Sequence, residues 1–254
     1  MTTRRNEIIA FCDELLDAGS FADYGPNGLQ VPGAGEVSKV VTGVSAHLEL
    51  LERAVAAGAQ MVIAHHGLFW DFHPRSLSEQ MASRLRVALG ANLSVAGYHL
   101  PLDAHPEIGN NALLRDALGF EASPEPLGEV KGRPIGAVGR TAAGVDASEL
   151  FDRVRTLVGR EPLVFEAGPD VVRSIGIVSG AGSAMIGEAA ALGLDALLTG
   201  EPAEHAMADA REARLHFVAA GHYATETFGV RRLGEQVAAE FGIEHEFMDI
   251  PNPV

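Results

Sequence analysis

The sequence predicts an α/β fold in which mostly parallel strands are flanked by helices. Three observations predict it. Short apolar runs alternate along the chain with segments of helical spacing, which is the pattern of a strand–helix–strand sheet. One of these runs, Met61-Val62-Ile63-Ala64, is apolar on both faces, as a strand covered by helices must be. At 254 residues and 47% hydrophobic content, the chain has room for a sizeable core in one large or two small domains.

In chain order, residues 37–45 read as a strand, and 47–57 as a helix with Gly58 after it. Residues 60–65 and 93–97 read as strands, 77–89 and 110–118 as helices, the latter closed by Gly119. Residues 121–134 carry Pro124, Pro126, Gly128, Gly132 and Pro134 and read as a linker. Beyond it come strands at 135–140, 173–178, 196–198, 216–220 and 245–250. Between these lie helices at 147–158, 184–192, 202–212 and 226–241. The expected division is an N-terminal lobe, 1–122, and a C-terminal lobe, 123–254. There is no short repeat and no low-complexity segment.

Composition bounds the function. The net charge of −15 argues against broad binding to nucleic acid or anionic membranes. It leaves room for a small phosphorylated substrate, because bound metal ions invert the local field. No apolar run reaches the roughly 18 residues of a membrane span, and residues 1–7 lack an apolar signal-peptide segment. A cytoplasmic protein is expected. The single cysteine, Cys12, excludes an intrachain disulfide and a cysteine-based zinc cluster; among Ile8, Ile9, Phe11, Leu15 and Leu16 it reads as a buried apolar thiol.

The chemistry is concentrated in histidines and carboxylates. Four segments carry donors: His65-His66, His99 to Asp103, Thr199-Gly200-Glu201 with His205, and Gly221-His222 to Glu226. Most follow predicted strands, and the carboxyl ends of strands are where open α/β sheets bind ligands. Side chains alternate along a strand, so adjacent histidines face one cavity only where the strand ends, and Gly67 permits that turn. His222 and Glu226 are four apart at a helix start and share a face. Pro101 disfavours a helical Leu100, so 99–103 is expected as a loop that presents Asp103. Imidazole with carboxylate suits Zn, Fe, Mn, Co or Ni better than Ca or Mg. Against this stand simpler readings: a lone histidine beside a strand is often a satisfied polar group, and an i, i+4 His–Glu pair is often a surface contact. His47, His73, His105, His216 and His245 read as non-ligands, and Arg231-Arg232 as a solvated helix face. The turn Ser179-Gly180-Ala181-Gly182-Ser183 suits either an anion or close packing, and lacks a Walker lysine.

Taken together, these segments resemble the NIF3-like family of dinuclear-metal proteins, the GTP cyclohydrolase 1 type 2 homologues. The resemblance runs nearly end to end. It includes Asn27-Gly28-Leu29-Gln30, Ala64 to Phe69, His99 to Asp103, Ser179 to Ser183, Asp195, Thr199-Gly200-Glu201 with His205, and Gly221 to Glu226. It implies a two-lobed NIF3-like fold, with His65, His66, Asp103, His222 and Glu226 holding two divalent metal ions per chain (Zn, Fe or Mn). It implies a ring-shaped homohexamer with the ions between the lobes. His99, Glu201 and His205 would then be near neighbours, with Glu201 or His99 moving protons in catalysis. The chain departs from the family at Val44-Ser45-Ala46-His47, where an Asp is usual, and it has no inserted central domain, which would sit at 121–134.

The resemblance implies a metal-dependent hydrolase acting on a nucleotide or related small molecule, by ring-opening of GTP if the homologue name carries over. The alternative is a non-enzymatic scaffold for metal storage, delivery or regulation. A nucleic-acid clamp suggested by a ring conflicts with the acidic balance.

Overall fold

Met61, Val62, Ile63 and Ala64 are fully buried because the strand that carries them, Met61–His66, has a parallel neighbour on each edge. The computed structural model describes residues 1–254 and groups them into two compact units, Met1–Leu102 with Gly229–Ile250, and Asp103–Phe228 with Pro251–Val254. The chain therefore returns to the first unit instead of dividing at 122/123. It does so because the late strand Glu244–Phe247 completes the first sheet, pairing parallel to Lys39–Ser45.

The first unit holds a five-stranded sheet in the order Glu244–Phe247, Lys39–Ser45, Met61–His66, Ser94–Gly97, Gly28–Val31. The first three pairings are parallel; only Gly28–Val31 is antiparallel. The helices Leu48–Ala56 and Glu79–Gly90 connect the parallel strands, and both have side-chain caps. The His47 ring accepts from the Leu50 amide and the Ser78 hydroxyl from the Met81 amide, each satisfying an amide that the first turn leaves open. Leu50, Leu51, Val62, Ala64, Leu68, Ala88 and Val95 pack into one core. Cys12 is fully buried and burial pushes its thiol up, so it is an inert core thiol.

The second unit holds a six-stranded sheet in the order Leu163–Phe165, His216–Ala219, Ala196–Thr199, Val171–Val178, Ala137–Asp146, Glu121–Ser123. Here the expectation of mostly parallel strands needs correction. Only the two central pairings are parallel, and the other three are antiparallel. The reason lies in Ala137–Asp146. Several of its residues between the bulge positions Arg140 and Val145 are exposed, and antiparallel strands tolerate a solvated face where parallel ones rarely do.

Two further expectations are corrected. The predicted linker contributes the strand Glu121–Ser123, which ends at Pro124 because proline supplies no amide. Residues 99–103 are not a loop: Leu100–Ala104 is a short helix, since Pro101 falls in the first turn, where an amide hydrogen has no helical partner to lose. The predicted helix 226–241 is present as Thr227–Phe241, and a further short helix, His222–Thr225, precedes it with Glu226 between the two. The helix Ala147–Val158 matches its expected bounds, with the Asp146 carboxylate capping its start and Gly159 in the left-handed region at its end. No helix is long and apolar enough to cross a membrane.

Candidate metal centre

In the first unit the site is built on the ends of adjacent strands. His65 is fully buried, and its Nδ1 lies 3.0 Å from the Tyr98 carbonyl oxygen. A carbonyl only accepts, so Nδ1 carries the hydrogen, and Nε2 is the ring nitrogen that could bind a metal. The His66 ring lies 4.7 Å from that of His65, and its Nδ1 is 3.0 Å from the Ser45 hydroxyl. His99, one residue beyond Tyr98, completes a trio in which ligand atoms of His65, His66 and His99 lie within 4.8 Å of one another.

Neighbouring amides fix these segments. Gln30 Oε1 accepts from the Leu68 amide at 2.6 Å, and its Nε2 donates to the Pro26 carbonyl at 2.8 Å. A Cβ on Gly67 would lie 2.2 Å from Gln30 Nε2, so any other residue at this turn would have to displace the Gln30 side chain. Asn27 Oδ1 accepts from the His99 amide at 2.9 Å. The Asn27 to Gln30 segment is thus the brace of both histidine segments. Asp23 is a member of the site that no sequence motif marks. Its Oδ1 is 2.7 Å from His99 Nδ1, and Oδ2 accepts from Asn27 and from the Leu100 amide. Burial alone would raise the Asp23 carboxyl, but the bonds from His99 and Asn27 outweigh it and hold it below the usual range.

In the second unit the donors are mainly carboxylates. Asp103 is buried, and its Oδ1 accepts from Asn110 Nδ2 at 2.8 Å and from the Ser179 hydroxyl at 3.0 Å. The Ser179 amide donates to Asn111 Oδ1 at 2.7 Å, while Asn111 Nδ2 donates to the Ile135 carbonyl at 2.7 Å. His222 stands between two carboxylates, with Nδ1 2.5 Å from Glu201 Oε1 and Nε2 3.1 Å from Glu226 Oε2. Burial would lower the His222 pKa, but Glu226 and then Glu201 push it up to about 9. Gly180, at φ +65°, leaves the space for this group: a Cβ there would lie 2.5 Å from Glu226 Oε1 and 3.2 Å from His222 Nε2.

The glycine-rich turn is a packing element and not an anion cradle. Its amides at Ser179, Gly180 and Gly182 are taken by Asn111, Thr225 and Thr199 side chains. Asp195 is likewise structural, bonding the Arg173 and Ser174 amides. His205 is half-exposed and reaches only Asp209, at 4.0 Å, so it does not join His222 and Glu201. Arg231 and Arg232 are exposed on their helix, as expected, and the Arg231 guanidinium also lies 4.3 Å above the Phe247 ring.

Imidazole nitrogens and carboxylate oxygens, with a cradle cleared by glycine, are a donor set that fits a divalent ion of the Zn, Fe or Mn kind.

The chain is similar to known proteins over nearly its whole length. The family model of Duf34/NIF3 (NGG1p interacting factor 3) matches residues 3–253. A GTP cyclohydrolase 1 type 2 homolog of Pseudomonas aeruginosa is 42% identical over 253 residues, covering 100% of both chains. A solved structure described as protein ybgI, of unknown function, is 40% identical with a TM-score of 0.92, over 99% of this chain and 100% of that one. The crystal structure of TTHA1606 from Thermus thermophilus is 32% identical with a TM-score of 0.89, over the same shares.

Proposed function

The chain belongs to the Duf34/NIF3 family, and from that premise we propose that it is a metal-dependent hydrolase of a small molecule, with His65, His66, Asp103, His222 and Glu226 as the ligands of two divalent ions. The donor set supports the ligands: His65 is already in its metal-binding tautomer, and Gly180 keeps open the space beside Glu226 and His222. When bound, such ions supply Lewis acidity and activate water at neutral pH.

The observation that carries hydrolysis over storage is the Asp23–His99 pair. His99 lies among the ligand histidines, yet it is outside the proposed ligand set. Asp23 holds its Nδ1, which orients the ring and leaves Nε2 to take and return a proton. A storage site has no use for such a base. Glu201 is committed through Oε1 to His222 Nδ1, so it orients that ring and sets its proton. The same reading carries a ring-shaped homohexamer, for which light scattering should give six times the 26.7 kDa of one chain.

The test is turnover. Protein loaded with Zn, Mn or Fe(II) is incubated with GTP, other nucleotides and phosphoesters, and products are read by mass spectrometry. His99→Gln should keep its metal and lose about 10²–10⁴-fold in rate, the range of general acid–base catalysis. Full metal with no product from any of these compounds would replace the hydrolase with a metal-storage or delivery scaffold.

A further inference from the structure

The segment between the His65-His66 strand end and the helix Glu79–Gly90 encloses a cavity of about 690 Å³, which is within the size of small-molecule sites. Phe69, Trp70 and Met81 give it apolar walls, and Gln80, Arg75 and Arg84 face it. Trp70 is half-buried and stacks on Phe72, with ring centroids 5.7 Å apart and planes at 18°. Phe72 itself is 71% exposed. Trp70 lines the cavity, Phe72 stacks on it without lining the cavity itself, and an aromatic wall of this kind suits a flat ring.

The charge of the lining is unlike that of the chain. In a protein of net charge −15, two arginines line this cavity and neither has a hydrogen bond or ion pair. Asp71 is the one carboxylate on the lining, and it pairs with neither. Unpaired guanidinium groups beside an aromatic platform are the usual equipment for a planar anion, because the planar fork grips phosphate or carboxylate in two places.

We propose that this cavity binds a small aromatic anion, with its flat ring against Trp70 and its phosphate or carboxylate on Arg75 and Arg84. The Trp70 ring lies 5.1 Å from that of His99 and 5.9 Å from that of His66. A ring seated on Trp70 is thereby brought next to the histidine trio. The inference names a substrate class for the site proposed above; it rests on that reading for the chemistry and not for the binding.

Trp70 is the single tryptophan of the chain, so intrinsic emission reports directly on this cavity. The full-length protein would be titrated with adenosine 5′-monophosphate and with nicotinate, beside the uncharged adenosine and nicotinamide. Both anions should quench saturably, and their neutral counterparts should bind at least about tenfold more weakly. The double variant Arg75→Ala, Arg84→Ala should lose about the same factor for the anions, and Phe72→Ala should weaken all four ligands. Metal content of each variant, read by plasma mass spectrometry, should not change, since none of these residues is a proposed ligand. No saturable quenching by either anion, or equal binding without the two arginines, overturns the cavity inference while metal loading stands. Quenching that persists in a protein that takes up no metal would overturn the metal reading alone.

Discussion

The two donor-bearing regions solve the same problem in opposite ways. In the first unit the donors are imidazoles at strand ends, fixed by carbonyls, amides and a carboxylate outside the proposed ligand set. His65 is set by the Tyr98 carbonyl, His99 by Asp23, and the two segments by Gln30 and Asn27. In the second unit the donors satisfy one another. His222 shares a proton with Glu201 and Glu226, on turns and the first residues of short helices. The first region is prepared before any metal arrives. In the second, a proton on His222 stands where the proposed metal would bind, so metal binding there would be an exchange.

That difference predicts where substitutions hurt most. Glu226→Ala should have the largest effect. It removes a buried carboxylate of the proposed ligand set and also one of the two partners of His222, so the loss of metal affinity should exceed the roughly 10–100-fold carried by outer partners of a metal site. The protein should stay folded by circular dichroism, because Glu226 sits between two helices and inside neither. Full metal occupancy in this variant would remove Glu226 from the ligands.

Glu201→Gln should come next, at about 10–100-fold in metal affinity, because it loosens His222 without removing a ligand. It also tests the exchange through pH. The His222 pKa is raised from its ordinary 6.5 to about 9 in the metal-free fold. The stability it contributes there is complete below 6.5 and is lost as pH rises through about 9. Metal affinity runs the other way, rising with pH until the proton has left. In Glu201→Gln, with one carboxylate gone, that rise should end at a lower pH. Calorimetric titrations with Zn at several pH values would show it. An affinity independent of pH between about 7 and 9 would mean that His222 gives up no proton to the metal.

How far the sequence disclosed this depends on the range of each interaction. The helix Ala147–Val158 was legible to the residue because Asp146 and Gly159 are signals within its own ends. His65-His66 was legible because two imidazoles at the end of an apolar strand are costly without a purpose. Strand direction in the second sheet was not legible, since it is decided by partners far along the chain, such as Val171–Val178 against Ala137–Asp146. Asp23 was invisible for the same reason: it lies 76 residues from His99 in sequence, in a stretch that reads only as a turn. The turn at Ser179 left two readings open. A glycine-rich turn before a helix suits an anion or close packing, and only the folded chain shows side chains of Asn111, Thr225 and Thr199 already holding its amides.

The smallest effect on metal should come from the brace of the prepared region. Gln30→Ala removes the acceptor of the fully buried Leu68 amide and opens a hole between Gly67 and Gly97, both of which pack against that side chain. An unsatisfied buried amide costs about 1–3 kcal/mol, so the variant should melt at a lower temperature. Its metal affinity should nevertheless fall by less than that of Glu201→Gln. The tautomer of His65 is set by the Tyr98 carbonyl and the orientation of His99 by Asp23, and neither bond involves Gln30. The two variants should therefore separate along different axes, Gln30→Ala in thermal unfolding and Glu201→Gln in metal titration. If Gln30→Ala lost as much metal as Glu201→Gln, the histidine region would depend on its brace as heavily as the carboxylate region depends on its proton, and it could not be called prepared in advance.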